Sequence, residues 1–362
     1  MQDKPLRVVV WGTGGIGALA INAIAKRPGI ELVGVWAYSK QKAGCDAGEL
    51  AGGKANGIKV TNDADALIAL EPDCVIYVAS SPDRERAAVP EIERFLKAGI
   101  NVVTTTTSRA IYPPTFEPWR DSMEEAAQAG GASFYASGIE PGFAADHLPL
   151  TLATQSSRIT SVYAAEILLY DDYPTAHALM DGMGFGRPMD FVPGVARPGS
   201  IAMSWGSSIH MMADAFGLEL EEIRENYQRV AAPRTVKAAC GTIEEGTCGA
   251  VRITATGVVG GKEVLTVEHI NRMHRDFAPE WPTGDGDCTY VVKIEGDPDI
   301  ESRMSLKLKD PPSAGINMDA GAGPMLATAM RIVNAVPYVC KAPAGLHSSL
   351  TLPLTTPLEA FD

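Results

Sequence analysis

The sequence is short of positive charge: 31 lysines and arginines stand against 44 aspartates and glutamates, a formal net charge of −13 over 362 residues. Such a chain repels a phosphate backbone, and no run of Lys and Arg is long enough to offset this, so no nucleic-acid partner is expected. Also missing is any stretch approaching the ~18 uncharged apolar residues that a membrane span needs. The opening Met1-Gln2-Asp3-Lys4-Pro5 lacks the apolar region of a secretory signal, and a cytoplasmic protein is expected. The six cysteines (Cys45, Cys74, Cys240, Cys248, Cys288, Cys340) form no C-x-x-C pair, and the histidines form no H-E-x-x-H. Neither a disulfide framework nor a metal site is expected. Disorder is excluded too, because 46% hydrophobic and 21% charged residues are ordinary globular values. At roughly 150 residues per domain, the length points to two domains.

What is present begins with alternation. Over residues 1–150, short apolar segments alternate with longer amphipathic ones: strands at Leu6–Trp11, Glu31–Tyr38, Cys74–Ala79, Asn101–Thr105 and Ala132–Ala136, with helices between. This is the pattern of βαβ units on a parallel sheet. Between the first strand and first helix stands Gly12-Thr13-Gly14-Gly15-Ile16-Gly17, a complete G-x-G-x-x-G in the context that gives the motif meaning. Gly12 permits the tight turn, Gly14 the approach of a pyrophosphate, and Gly17 close packing of helix on sheet. Free N–H groups and the helix dipole would hold the phosphates. A Rossmann-type dinucleotide-binding domain follows.

The end of the second strand bears on which nicotinamide cofactor fits. No carboxylate stands there before Asp46; Ser39, Lys40 and Lys42 occupy the place instead and suit a 2′-phosphate. NADP is expected, with NAD possible. Ligands in open α/β sheets lie outside the carboxyl ends of the strands. Ala79, Ser80 and Ser81 at and past the end of one strand, and Thr104, Thr105 and Thr106 at and past the end of another, are therefore further cofactor candidates. Thr107 and Ser108 come next and are candidates for proton transfer.

Taken together, the glycine motif, the Asn101-Val102-Val103 strand, Gly138-Ile139-Glu140-Pro141-Gly142-Phe143 and the segment Ala327 to Pro337 resemble one family. It is that of NAD(P)-dependent oxidoreductases with a dihydrodipicolinate-reductase-like N-terminal domain, nearest to 2,4-diaminopentanoate dehydrogenases, native amine dehydrogenases and their mycobacterial relatives. The resemblance implies that Gly142, Phe143 and Asn334 also meet the cofactor, that the second-domain sheet forms a homodimer, and that a C-terminal helix, Pro324–Pro337, returns to the nucleotide domain. The His-His and Lys signature of true dihydrodipicolinate reductases is absent. So is the Glu that the best-known amine dehydrogenases carry after the Asn-Val-Val strand; Thr107-Ser108-Arg109 stand in that region.

Beyond residue 150 the pattern changes to an α+β domain with a mainly antiparallel sheet. The expected division is 1–150 completed by 323–362 for the dinucleotide-binding domain, and 151–322 for substrate binding and dimerisation. Candidate catalytic residues are Glu140, in a Pro-Gly turn past a strand end, with Thr107, Ser108 and Tyr173 as hydroxyl alternatives. Asp146 reads as a helix N-cap. Phe143, His147, Tyr170, His177, Met180, Met183, Phe185, Met203 and Trp205 are the expected substrate lining, suited to a small, largely apolar amine or ketone. The Met183–Pro188 segment reads as a mobile substrate-facing loop. The expected activity is NADP-dependent reductive amination or its reverse. Carbonyl reduction on the same scaffold and a non-catalytic NADP-binding redox sensor are the alternatives.

Overall fold

A computed structural model describes residues 4–79, 84–173, 175–308 and 322–360. In chain order the first elements are β1 (Leu6–Trp11), α1 (Gly15–Ile24), β2 (Ile30–Trp36), α2 (Ala47–Leu50), β3 (Val60–Thr61), α3 (Ala64–Ile68), β4 (Cys74–Tyr77), α4 (Arg84–Lys97), β5 (Asn101–Thr104), α5 (Arg120–Gly130) and β6 (Ser133–Ala136). Then come α6 (His147–Ala153), β7 (Arg158–Leu169), α7 (Ser200–Phe216), β8 (Glu222–Ala231), β9 (Val236–Ala238), β10 (Gly241–Ile243), β11 (Cys248–Val259), β12 (Lys262–Arg272), β13 (Cys288–Asp297) and β14 (Ile300–Ser305). The chain closes with α8 (Ala322–Val333), α9 (Val336–Val339) and β15 (Gly345–His347).

The chain divides into two units, one of residues up to 139 with those from 325 onward, the other beginning at Glu140. This cut lies ahead of the boundary expected near 150. The reason is packing: Ala145 and Ala153 join the second unit's core.

In the first unit seven strands form a parallel sheet in the order β15-β6-β5-β4-β1-β2-β3. Because alternate residues of a strand face opposite ways, the sheet has two apolar faces. Val8, Val10, Cys74 and Ile76 pack with α1 and with Ile332, Val333, Val336 and Val339 near the C-terminus. On the other face Trp11 lies against Phe95 of α4, and Glu91 of that helix accepts hydrogen bonds from Trp11 Nε1 and Tyr77 OH. The strand order reverses between β1 and β4, the place where such sheets bind ligands.

The second unit is built on a six-stranded sheet in the order β14-β13-β7-β12-β11-β8, with β9 and β10 as a separate hairpin. Four of its five strand pairings are antiparallel, and the fifth, β7 with β12 at the centre, is parallel, so the sheet expected to be mainly antiparallel is mixed. Their connection passes through α7, which buries Ile201, Ile209, Met212 and Ala213 against Val162, Val251, Ile253 and Val267 of the sheet. That face also carries Glu166 of β7, His269 and Asn271 of β12 and Tyr290 of β13, all buried.

Candidate active site

The first unit builds a glycine loop at the switch between β1 and β4. Gly12 has φ +124°, and a Cβ there would lie 2.7 Å from Ala79 N, so β1's exit and β4's exit press together without room for a side chain. A Cβ on Gly17 would lie 2.0 Å from Gly12 O, which lets α1 start directly beneath the turn. Gly14 differs from both. A Cβ there would meet nothing within 4 Å, so its open face is free for a ligand to approach the backbone. A tight frame around an open glycine at a helix N-terminus fits a pyrophosphate.

Around this loop, Lys42 Nζ donates to Thr13 O and Oγ1 at 3.2 and 3.1 Å, while Lys40 stays exposed and Ser39 half-buried. Tyr38, which sequence reasoning passed over, is 85% exposed beside them. Thr104 is buried and its Oγ1 accepts from Thr106 N; Thr106 Oγ1 donates to Ala79 O at 3.0 Å, tying the ends of β4 and β5. Thr105 is half-buried, and Thr107 is buried with no hydrogen-bond partner for Oγ1 among the described residues. Ser108 opens a short helical turn. Ser80 and Ser81 lie outside the described residues. Asn334 corrects the expectation: it accepts from Arg27 Nη2 at 3.1 Å. Arg27 precedes β2, at the amino ends of the strands, so Asn334 is remote from the glycine loop.

The second unit holds a cluster of titratable side chains. Glu140 enters it from a turn whose Gly142, at φ +137°, needs glycine's freedom, and whose carbonyl accepts from Ala145 N and Asp146 N. Asp146 caps α6 by accepting from His147 N. Glu140 Oε1 stands 3.2 Å from His269 Nε2, and His269 Nδ1 stands 3.3 Å from Glu166 Oε1. The three side chains are only 3–5% exposed. Glu166 Oε1 further accepts from Asn271 Nδ2 and Tyr170 OH, each at 3.1 Å. The Trp205 ring lies 4.5 Å from that of His269.

Burial pushes the Glu140 carboxyl up to about 7, against the downward pull of the His269 hydrogen bond and charge. Burial alone would strip His269 of its proton, but the charge of Glu166 and the hydrogen bonds to both carboxylates outweigh it and carry the imidazole to about 10. Glu166 is held below the ordinary carboxylate range: desolvation opposes this, and His269, Asn271 and Tyr170 overcome it. The cluster therefore contains an ion pair, Glu166 with His269, and one carboxyl, Glu140, that changes charge near neutrality.

Other lining candidates divide. Tyr170 packs on Tyr173 at 5.5 Å and Phe143 on His147 at 5.7 Å. Met180, Met183 and Trp205 are half-buried against the core. Phe185 is wholly buried, and Gly186 N donates to Cys248 O while Arg187 pairs with Asp181. The Met183–Pro188 segment is thus an anchored part of the core, contrary to its reading as a mobile face. Met203, 47% exposed, and His177, in an exposed pair with Asp181, are surface residues apart from the cluster. Glu166, His269, Asn271 and Tyr290 were missed. The available signal was alternation: Leu265, Val267, His269 and Asn271 share one strand face, and two polar residues continue an apolar row.

Residues 6–110 match the family model for dihydrodipicolinate reductase, N-terminus, and residues 143–361 that for the 2,4-diaminopentanoate dehydrogenase C-terminal domain. An amine dehydrogenase of Streptomyces virginiae is 37% identical, covering 96% of each chain. The 2,4-diaminopentanoate dehydrogenase of Acetoanaerobium sticklandii is 23% identical, over 97% of this chain and 94% of that one. The solved amine dehydrogenase of Mycobacterium smegmatis shares the fold with a TM-score of 0.78 at 21% identity, covering 97% of both chains. With a dinucleotide loop in the first unit and full-length kinship to dehydrogenases, the chain belongs to the amine dehydrogenase family of oxidoreductases.

Proposed function

We propose that this oxidoreductase interconverts a small, largely apolar primary amine and the corresponding carbonyl compound, with NADP preferred over NAD and Glu140 as the proton acceptor. The observation that carries the reading is Glu140 itself, a buried carboxyl brought to about 7 beside an imidazolium, in a chain 37% identical to an amine dehydrogenase.

An alkylammonium has no lone pair to assist loss of hydride from its carbon, so a proton must leave nitrogen first. Glu140 as carboxylate takes that proton and returns it to solvent. The bound nicotinamide supplies the hydride acceptor. Loss of hydride from the neutral amine leaves a substrate iminium, and water releases the carbonyl compound and ammonium. Half-buried Met180, Met183 and Trp205 support an apolar substrate.

Lys40, Lys42 and Ser39, with no carboxylate among them, support NADP. One observation favours the rival carbonyl chemistry: the buried hydroxyl of Thr107, unpaired among the described residues, is a neutral group suited to donating to an alkoxide. A panel of primary amines and matched alcohols, assayed with NADP and NAD for reduced nicotinamide, separates the readings. Turnover of amines at rates at least tenfold above the alcohols is expected; turnover confined to alcohols contradicts the proposal. A homodimer through the second-unit sheet is part of the same reading. Its support is the face opposite α7, where half-buried Tyr163 and Trp281 pack over buried Ala165, Ile167, Ile270 and Val291.

A further inference from the structure

We infer that His269 and Glu166 are positioning residues that set the charge of Glu140: Glu166 holds His269 as imidazolium, and His269 in turn keeps Glu140 able to ionise inside an apolar core. The inference rests on the reading of Glu140 as proton acceptor and adds the device that makes a buried carboxyl usable.

The geometry is a row across three neighbouring strands. Glu166 of β7 is the register partner of His269 on β12 and of Tyr290 on β13, so the three side chains stand abreast on one sheet face. Asn271, two residues beyond His269, and Tyr170, four beyond Glu166, both donate to Glu166 Oε1. A carboxylate that receives two neutral donors and a ring N–H is fixed in its ionised form. His269 is then held at both nitrogens, Nδ1 toward Glu166 and Nε2 toward Glu140, and with both carboxyls ionised this takes two N–H donors and therefore the charged ring.

The remaining titratable groups facing the row do not supply this charge. Burial keeps the protons on Tyr170, Tyr173, Tyr290 and Cys288, so these stay neutral. Asp146 and Glu166 both act on Glu140 in the direction that opposes ionisation. His269 is thus the single group of the row that stabilises Glu140 as carboxylate. Without it, desolvation and two like charges act unopposed, and Glu140 would hold its proton through the neutral range.

The test is the pH dependence of amine oxidation by His269→Gln beside wild type and Glu140→Gln. In His269→Gln the ascending limb should move to higher pH by about one pH unit or more, with turnover largely restored above the new midpoint. A purely structural role would lower turnover equally at every pH, and an unmoved limb overturns the inference. If Glu140→Gln is as active as wild type, the reading of Glu140 fails instead, so the two failures are distinguishable. Imidazole 15N NMR of the wild-type protein does not depend on a foldable variant. One of the six histidines should stay doubly protonated beyond pH 8 and should lose that proton at lower pH in Glu166→Gln. Six rings that all titrate near the ordinary value would overturn it.

Discussion

At Glu140, burial and an adjacent imidazolium act in opposite directions on one carboxyl group, and burial prevails, so that it titrates at about 7 rather than 4.5. The sign of the stability linkage follows. The folded value lies above the ordinary 4.5, so the native state takes up a proton as pH falls from 7 toward 4.5 and is favoured over that window. Above 7 the buried charge works against folding. Glu140→Gln, which imitates the protonated form, should therefore melt no lower than wild type at pH 8 by calorimetry, even where activity is lost; a clear fall in melting temperature would contradict this account. The cations proposed to face the cofactor give a second prediction. Replacing Lys40 and Lys42 together with Ala should reduce the preference for NADP over NAD by about tenfold, since each charge-assisted contact is worth ~1.5–3 kcal/mol before screening. Titration of both cofactors against both proteins checks it, and an unchanged ratio would remove those lysines from the site.

Between residues and folds, the glycine loop separates two roles that the motif alone merges. Gly17→Ala places a Cβ 2.0 Å from Gly12 O and should destabilise the first unit by roughly 1–3 kcal/mol, as overpacking does. Gly14→Ala meets nothing within 4 Å and should leave the melting temperature intact while weakening dinucleotide binding. Equal losses of stability would contradict this division. At this scale the sequence was most readable. β1, β2, β4, β5 and β6 were legible because buried parallel strands are short apolar runs between amphipathic helices, and the Asp146 cap because a helix start needs an acceptor. β8 was harder to see, since Glu222, Arg224 and Asn226 alternate with half-buried residues and dilute the apolar signal. The row of Glu166, His269 and Tyr290 was invisible for a different reason. These residues lie far apart in the chain, and register between strands, set by tertiary packing, brings them abreast. Glu140 could be singled out from its turn, but its partner could not.

At the scale of the whole molecule, each unit has its own core, and the division after Ile139 leaves Glu140 as the first residue of the second unit. The sheet of that unit is covered by α7 on one face, and half-buried Tyr163 and Trp281 on the other are the basis for predicting a homodimer. Light scattering at micromolar concentration should return twice the chain mass of 38.3 kDa; a monomer would contradict the prediction. The central claim, that Glu140 receives the proton of an amine substrate, is tested most directly by kcat/KM for a small primary amine across pH 6–9 in wild type and Glu140→Gln. The account predicts a wild-type profile rising through about 7 and a variant slowed by about 10²-fold or more, without that limb and with unaltered NADP affinity. A Glu140→Gln enzyme that matches wild type in rate and profile would contradict it.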